Sequence, residues 1–213
     1  MASTVDICNL ALAHLGDEAA VSSISPSDGS AQADHCARFY PIARDALLEM
    51  YGWDFATRRV ALVETAGTPA GGWAYEYAYP SSCASIQAVL YDGQLDDTTT
   101  QEYVVETVSD GSRVILTNVE GAYCRYTRLI TDTTKYSPLF VTCLSYLLAS
   151  YLAGPITKSP GIVEGMYKRF LSEFGKAGPS NANQSHKPPV HSPEWIAARG
   201  FVNPYAAPGR IIR

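Results

Sequence analysis

Apolar residues recur at helical spacing through the first fifty residues of the chain. In the first stretch they are Ile7, Leu10, Ala11 and Leu15. This spacing predicts a helix that Ser3 or Thr4 caps. A second helix is predicted from Ser30 towards Tyr51, and its apolar face is formed by Ala33, Cys36, Ala37, Tyr40, Ala43, Leu47 and Met50. Pro41 is expected to kink or divide this helix, because proline lacks the backbone N–H that a helix uses.

Between Thr57 and Ile130 the pattern changes to the period of two that is typical of strands. Six short stretches fit it: 59–63, 73–79, 85–91, 103–108, 113–117 and 122–130. The fourth and fifth stretches are separated by Ser109-Asp110-Gly111-Ser112, which is a strong hairpin signal. The segment therefore predicts a small antiparallel sheet or sandwich.

Helical periodicity returns after Ile130. Ser137-Pro138 combines a cap with proline at the first helical position, which predicts a helix start. Residues 139–153 are apolar nearly all round, which is typical of a helix buried on most sides, and Gly154-Pro155 is predicted to end it. Ser159-Pro160 repeats the start signal. The last helix has an apolar stripe of Val163, Met166, Tyr167, Phe170, Leu171 and Phe174.

Together these elements predict an α+β fold: a four-helix bundle with an inserted small antiparallel β domain and an extended C-terminal arm. The bundle takes residues 1–56 and 131–176. The inserted β-sheet domain takes residues 57–130, and the arm takes residues 177–213.

The charge of the chain is divided between its body and its end. The 213 residues carry a formal net charge of -5, which argues against a protein that coats nucleic acid by bulk electrostatics. Residues 1–175 hold 20 of the 21 acidic but only 11 of the 16 basic side chains, a net charge of -9. Residues 176–213 hold the other five basic side chains and six of the 13 prolines. This contrast indicates a folded unit followed by an extended arm.

The sequence also indicates the kind of cellular compartment in which the protein is expected. No run of 18 or more apolar residues occurs, so a membrane span is not expected. The first residues lack the basic-then-apolar pattern of a secretory signal, so a cytosol-like compartment is expected. The five cysteines are widely spaced and form no C-x-x-C. This favours free, mostly buried thiols in reducing surroundings.

Catalytic and metal-binding motifs are missing from the sequence. It contains no phosphate-binding loop, no dinucleotide-binding glycine motif, no zinc-protease motif and no nucleophile elbow. His14 ends the first predicted helix, where its charge would favour the helix dipole. His35 and Cys36 are adjacent on a helix and point in different directions, and His186 and His191 lie in the arm. We therefore expect no enzyme activity, no catalytic or metal-binding residues and no cofactor.

Two features leave a carbohydrate-related function open. Asp96 and Asp97 are paired carboxylates, as in a glycosidase or a calcium site, although adjacent carboxylates more often mark a solvated loop. Tyr75, Tyr77 and Tyr79 form an aromatic stripe that could stack on sugars or bases, although a core or subunit-contact face is the commoner role. Many tyrosines with few charges also suit an interface protein.

Eight segments carry a family resemblance across roughly residues 5–176. They are Asn9–Gly16, Phe39–Leu48, Trp53–Arg59, Gly72–Tyr77, Leu129–Asp132, Pro138–Phe140, Leu147–Ala153 and Pro155–Ser159. In their order and spacing the chain resembles the tail tubular protein A family of short-tailed bacteriophages, which are head-to-tail adaptors. Related head-completion connectors of long-tailed phages share the helical core. Ser81-Ser82-Cys83 stands where the family pattern usually has an aspartate, and residues from 177 onward match only in character.

The resemblance implies a structural virion protein that forms a ring of twelve copies joining the portal to the tail nozzle. DNA would pass through the lumen without specific binding, no membrane would be involved, and the ring would lie in the virion neck after assembly in the bacterial cytoplasm. In this family the arm embraces the portal, so large apolar side chains and arginines are the expected contacts. They are Trp195, Ile196, Arg199, Phe201, Tyr205, Arg210, Ile211, Ile212 and Arg213. The alternative is a virion module that binds or hydrolyses glycans, and a third possibility is a host-encoded helical scaffold.

Overall fold

The computed structural model describes residues 2–18, 20–94 and 100–182. Within them helices come first, then strands, then helices again. The helices are α1 (Thr4–His14), α2 (Ala31–Met50), α3 (Pro138–Thr157) and α4 (Pro160–Ala182), with a short 3-10 helix at Thr133–Lys135. The strands are β1 (Thr57–Ala61), β2 (Tyr75–Ala78), β3 (Cys83–Leu90), β4 (Tyr103–Thr107), β5 (Arg113–Thr117) and β6 (Tyr123–Arg128).

Serine side chains start three of the helices, close to where the sequence predicted. Each accepts a hydrogen bond from the backbone N–H three residues on: Ser3, Ser30 and Ser137. At the start of α1 the carboxylate of Asp6 accepts in return from the backbone N–H of the capping serine, which completes a capping box. These local signals explain why the helix starts were predictable.

Proline neither divides α2 nor ends α3. α2 is a single helix from end to end, so Pro41 does not divide it. The predicted stop at Gly154-Pro155 was wrong, because α3 continues to Thr157. Lys158 then ends α3 in a left-handed conformation, with its N–H donating to the Gly154 carbonyl at 3.1 Å.

α3 is the centre of the helical part. α1, α2 and α4 each pack against it, and its buried apolar side chains are Phe140, Cys143, Leu144, Leu147, Leu148, Ala149, Leu152 and Ala153. A helix that is apolar on all sides is stable only where neighbours cover every side. The expected four-helix bundle is therefore wrong: three helices surround one, instead of four helices sharing a central seam.

The six strands form two three-stranded antiparallel sheets. The strand order is β1-β6-β3 in the first sheet and β2-β5-β4 in the second. Side chains from both sheets enclose a second core: Tyr77, Val89, Ile115, Val119, Ala122, Cys124 and Tyr126. The predicted hairpin between the fourth and fifth strands is confirmed, with β4 and β5 paired from Tyr103↔Thr117 to Thr107↔Arg113.

Backbone hydrogen bonds also join the two sheets at their edges. After β1 the Leu62 N–H still donates to Ala122 beside β6, whereas the Thr65 N–H donates to Glu76 of β2. At the other edge the Gln101 N–H, just before β4, donates to Val89 of β3 at 3.1 Å. Unpaired strand edges invite pairing with other chains, so these bonds leave less of each edge open.

The first sheet is joined to the helices and is not a separate insertion. Ile130, which follows β6, lies in the helical core. Ala84 of β3 and Leu129, just after β6, pack against that core. Gln87 donates to the hydroxyls of Thr57 and Thr127 at 3.2 and 2.9 Å. A Cβ on Gly52, just past the end of α2, would lie 2.8 Å from the Gln87 amide nitrogen. This close approach fixes the sheet against the end of α2.

α4 continues beyond residue 176, where the predicted arm begins. It reaches Ala182. Ala177 is fully buried, and the Tyr51 hydroxyl donates to the Gly178 carbonyl at 2.9 Å. The first residues of the predicted arm are thus helical, because the end of α4 covers Tyr51. The rest of the arm, 183–213, lies outside the described residues, and the division into domains stays a prediction.

Candidate interaction surface

The residues predicted to bind a portal lie outside the described part of the chain. They are Trp195, Ile196, Arg199, Phe201, Tyr205, Arg210, Ile211, Ile212 and Arg213. The last described residue before them is Ala182, at the end of α4. α4 is therefore the last described element before them in the chain.

α4 has two apolar faces, whereas the sequence indicated one. Phe170 is 1% exposed and lies in the helical core, with Met166 and Phe174 packed against that core. Tyr167 and Leu171 remain 43% and 49% exposed. Residues four apart lie on one side of a helix, so these two form an outer stripe that no described residue fully covers.

A depression of about 520 Å³ lies beside this stripe, in the corner between α3 and α4. It is lined by Gly154, Lys158, Ser159, Pro160, Val163, Glu164 and Tyr167. Lys158, with a φ of 53°, is the residue at which the chain leaves α3 to begin α4. Apolar atoms form most of the lining, and Lys158 and Glu164 add one charge of each sign. Such a depression suits an apolar or aromatic anchor of a partner. We call Tyr167, Leu171 and this depression the α4 surface.

His14 is packed against the helices and does not act as an exposed cation. Its ring stacks on Tyr146 with centroids 4.1 Å apart, and its Nε2 lies 3.1 Å from the Ser145 hydroxyl. Burial, with a smaller effect from the charge of Arg169, lowers the pKa of His14 below its usual value. The expected favourable charge at the end of α1 is therefore replaced by packing of a neutral ring.

The cysteines are free thiols, in agreement with the sequence. Four are buried and Cys83 is half-buried. Burial raises the pKa of the Cys124 thiol to about 12 and that of the Cys143 thiol to about 11. A thiol with a raised pKa stays protonated at neutral pH and is a poor nucleophile. These side chains act as small apolar groups in the two cores.

The tyrosine stripe of the second sheet faces the β core. Tyr77 is 2% exposed, and its hydroxyl donates to the Val119 carbonyl at 2.8 Å. Tyr75 and Tyr79 pack against the same core. These three tyrosines therefore offer no open platform on which a sugar ring could stack. The paired carboxylates predicted with them, at 96–97, lie outside the described residues.

Metal ligands do not gather in the described ranges 2–18, 20–94 and 100–182. No three side chains of histidine, cysteine, aspartate or glutamate come together there as a metal site would require.

α3 is long and apolar enough to cross a membrane, by length and composition alone. Counting consecutive apolar residues had not indicated this, because two serines interrupt the stretch. More than half of the helix is buried among the other elements, as it is in the core helix of a globular protein.

The sequence was compared with protein-family models and with curated proteins, and neither comparison found a match. A function is therefore inferred from the resemblance of the eight segments and from the exposed surfaces of the described residues.

Proposed function

We propose that the chain is a head-to-tail adaptor of a bacteriophage virion, a structural protein without enzymatic activity. Twelve copies form a ring that joins the portal to the tail nozzle, and DNA passes through its lumen. The observation that carries this proposal is the α4 surface, an exposed apolar stripe and depression on the last described helix. It lies on the last described helix, which comes before the predicted portal-binding residues in the chain.

An apolar surface of this kind fits a protein contact better than a small-molecule site. Exposed large side chains beside a pocket are typical anchors, and tyrosine is enriched among residues that dominate binding energy. Tyr167 supplies both the stripe and one wall of the depression. A portal that binds the residues after Ala182 would therefore find a second contact on α4 itself.

The glycan-related alternative is not favoured by any described residue. Its aromatic platform, Tyr75 to Tyr79, packs against the β core. Its paired carboxylates, Asp96 and Asp97, lie outside the described residues. Depolymerisation of a polysaccharide that is lost on Asp96→Asn and Asp97→Asn substitution would favour this alternative over the adaptor.

The adaptor proposal is tested by binding to the portal protein encoded in the same genome. Tyr167→Asp with Leu171→Asp should weaken binding about tenfold or more, because about 1.4 kcal/mol of lost anchoring is a factor of ten. Trp195→Ala and Phe201→Ala should weaken it at least as much. The matched control is Ile42→Asp with Met50→Asp, two α2 side chains that are 55% and 48% exposed.

The control variant should bind the portal with the affinity of the wild type. Its thermal stability should equal that of the Tyr167→Asp, Leu171→Asp variant. Equal losses of portal affinity in the two double variants would mean that added charge alone weakens binding, so the α4 surface would not be the contact. A wild-type chain that does not bind the portal at all would contradict the adaptor function.

A further inference from the structure

Lys158 ends α3 in a backbone conformation that suits glycine better than lysine. Its φ of 53° is in the left-handed region, where a Cβ comes too close to the following carbonyl oxygen. Glycine is the usual residue at such a helix end, because it has no Cβ. The fold alone therefore favours glycine at position 158, and the lysine is present at a cost to stability.

The ammonium group of Lys158 has no partner in the described part of the chain. The ion pairs there join other side chains. The hydrogen bond that Lys158 does form is made by its backbone N–H, which donates to the Gly154 carbonyl at 3.1 Å. Residues that break a local rule without a gain inside the fold are expected at functional sites. The lysine therefore indicates a contact beyond the described residues.

Lys158 also lines the apolar depression of the α4 surface. The depression has one other charged side chain, Glu164, whose carboxylate lies 2.7 Å from the ammonium of Lys168 on α4. Within the described residues, Lys158 is thus the lining charge that has no opposite charge beside it. An apolar depression with a cation at its edge fits an apolar side chain that has a carboxylate close to it.

We propose that the depression receives an apolar side chain of the portal and that Lys158 binds a carboxylate next to that side chain. This contact belongs to the proposed adaptor function, on which the inference rests, and it names the chemistry that α4 recognises. The apolar stem of a lysine can cover apolar surface while its ammonium reaches a charged partner. Lys158 then favours partners that carry an acidic residue at this point and disfavours partners that carry a basic one.

The predicted arm of the chain itself is a poorer occupant of the depression. Residues 183–213 hold four basic side chains and a single acidic one, Glu194, so their net charge has the same sign as Lys158. Like charges at a contact oppose binding. Nucleic acid is a poorer occupant as well, because residues 1–175 carry a net charge of -9, and a field of that sign repels a polyphosphate.

Three substitutions of this one residue separate its charge from its backbone strain. Lys158→Gly removes both, Lys158→Met removes the charge and keeps the strain, and Lys158→Arg keeps both. Each full-length variant is titrated with the portal protein encoded in the same genome, and its thermal melting is recorded. The matched control is Lys135→Met, which removes an exposed lysine from the short 3-10 helix.

Lys158→Gly should melt about 2–4 °C above the wild type, because glycine relieves the left-handed backbone. The same variant should bind the portal about fivefold more weakly, because it lacks the ion pair. Lys158→Met should bind equally weakly without the gain in melting temperature, and Lys158→Arg should resemble the wild type in both measurements. In about 1 M salt the difference in affinity between the wild type and Lys158→Met should shrink, because salt screens the ion pair. The control should keep the portal affinity of the wild type.

A photo-crosslinker identifies what occupies the depression. p-Benzoylphenylalanine replaces Glu164, an exposed residue of the lining, and mass spectrometry identifies the segment to which it couples in the complex with the portal. The coupled segment should belong to the portal and should contain an apolar residue with aspartate or glutamate close to it.

The inference would be overturned if Lys158→Gly and Lys158→Met bound the portal as the wild type does, or if Lys135→Met lost as much affinity. Coupling to residues 183–213, to a second copy or to a portal segment without an acidic residue would overturn it too. So would a lower melting temperature of Lys158→Gly, since the lysine would then serve the fold.

The adaptor function is judged separately by the wild type and by the Tyr167→Asp, Leu171→Asp variant. If the wild type binds the portal and this variant binds it weakly, the adaptor function stands whatever the Lys158 variants do. A wild-type chain that does not bind the portal would contradict the adaptor function and this contact together.

Discussion

Trp53 is the side chain on which the helical core depends most. It is 1% exposed, and its indole N–H donates to the Leu47 carbonyl at 2.9 Å. Its ring contacts Phe140 edge to face at 5.1 Å, and it also contacts Tyr51, Phe55 and Phe174. Trp53 therefore joins the end of α2 to both α3 and α4.

Trp53→Ala should lower the free energy of unfolding by about 3–5 kcal/mol, because it leaves a large cavity at a contact of three helices. Urea denaturation followed by circular dichroism measures this change. Trp73→Ala is the matched control, since Trp73 is only half-buried and lies outside the strands, and it should cost clearly less. Equal losses would contradict the central position of Trp53.

His14 should make stability depend on pH in a defined direction. Burial lowers its pKa in the folded chain, so the unfolded chain binds a proton more readily than the folded one. Stability should therefore be complete above the unfolded pKa of about 6.5 and fall as the pH drops below it. His14→Gln should remove this part of the pH dependence. Melting temperatures between pH 7.5 and about 5 test it, and an unchanged slope in the variant would contradict it.

At the scale of elements, the sequence predicts what local rules determine. The caps at Ser3, Ser30 and Ser137 and the turn at Asp110-Gly111 depend on neighbouring residues alone, and these elements are close to where they were expected. The arrangement of helices was not predictable in this way. α3 is apolar on every side, and only the assembled structure decides whether neighbours surround it or share a seam with it.

The α4 surface was missed for a related reason. Tyr167 and Leu171 are apolar and at helical spacing, so the sequence placed them in one stripe with Phe170. One neighbouring helix cannot cover six such residues. The width of the stripe was the signal that part of it faces outwards, and only the packing of α4 on α3 identifies which part.

The end of α4 gives a prediction about truncation. Deleting residues 183–213 should leave stability unchanged while removing portal binding, because α4 remains whole. Deleting residues 178–213 should also lower the free energy of unfolding, by about 1 kcal/mol or more, because the Tyr51 hydroxyl loses its acceptor at Gly178. Thermal melting of the two truncated chains tests this difference. Identical melting temperatures would contradict the structural role of the last turns of α4.

At the scale of the whole molecule, the described residues expose an apolar stripe and a depression on α4, the helix that ends in the first residues of the predicted arm. The sequence indicated an interface protein through its tyrosines and low charge. It could not locate the exposed surface, because only the packing of α4 on α3 decides which side of α4 faces outwards.

The most direct test of the adaptor function is cryo-electron microscopy of the chain co-expressed with the portal and tail nozzle proteins of its genome. We expect a ring of twelve copies between the two partners, with an open lumen and with α4 and the C-terminal residues against the portal. The adaptor function would be contradicted if the portal and nozzle joined without this chain, or if the chain were bound to neither.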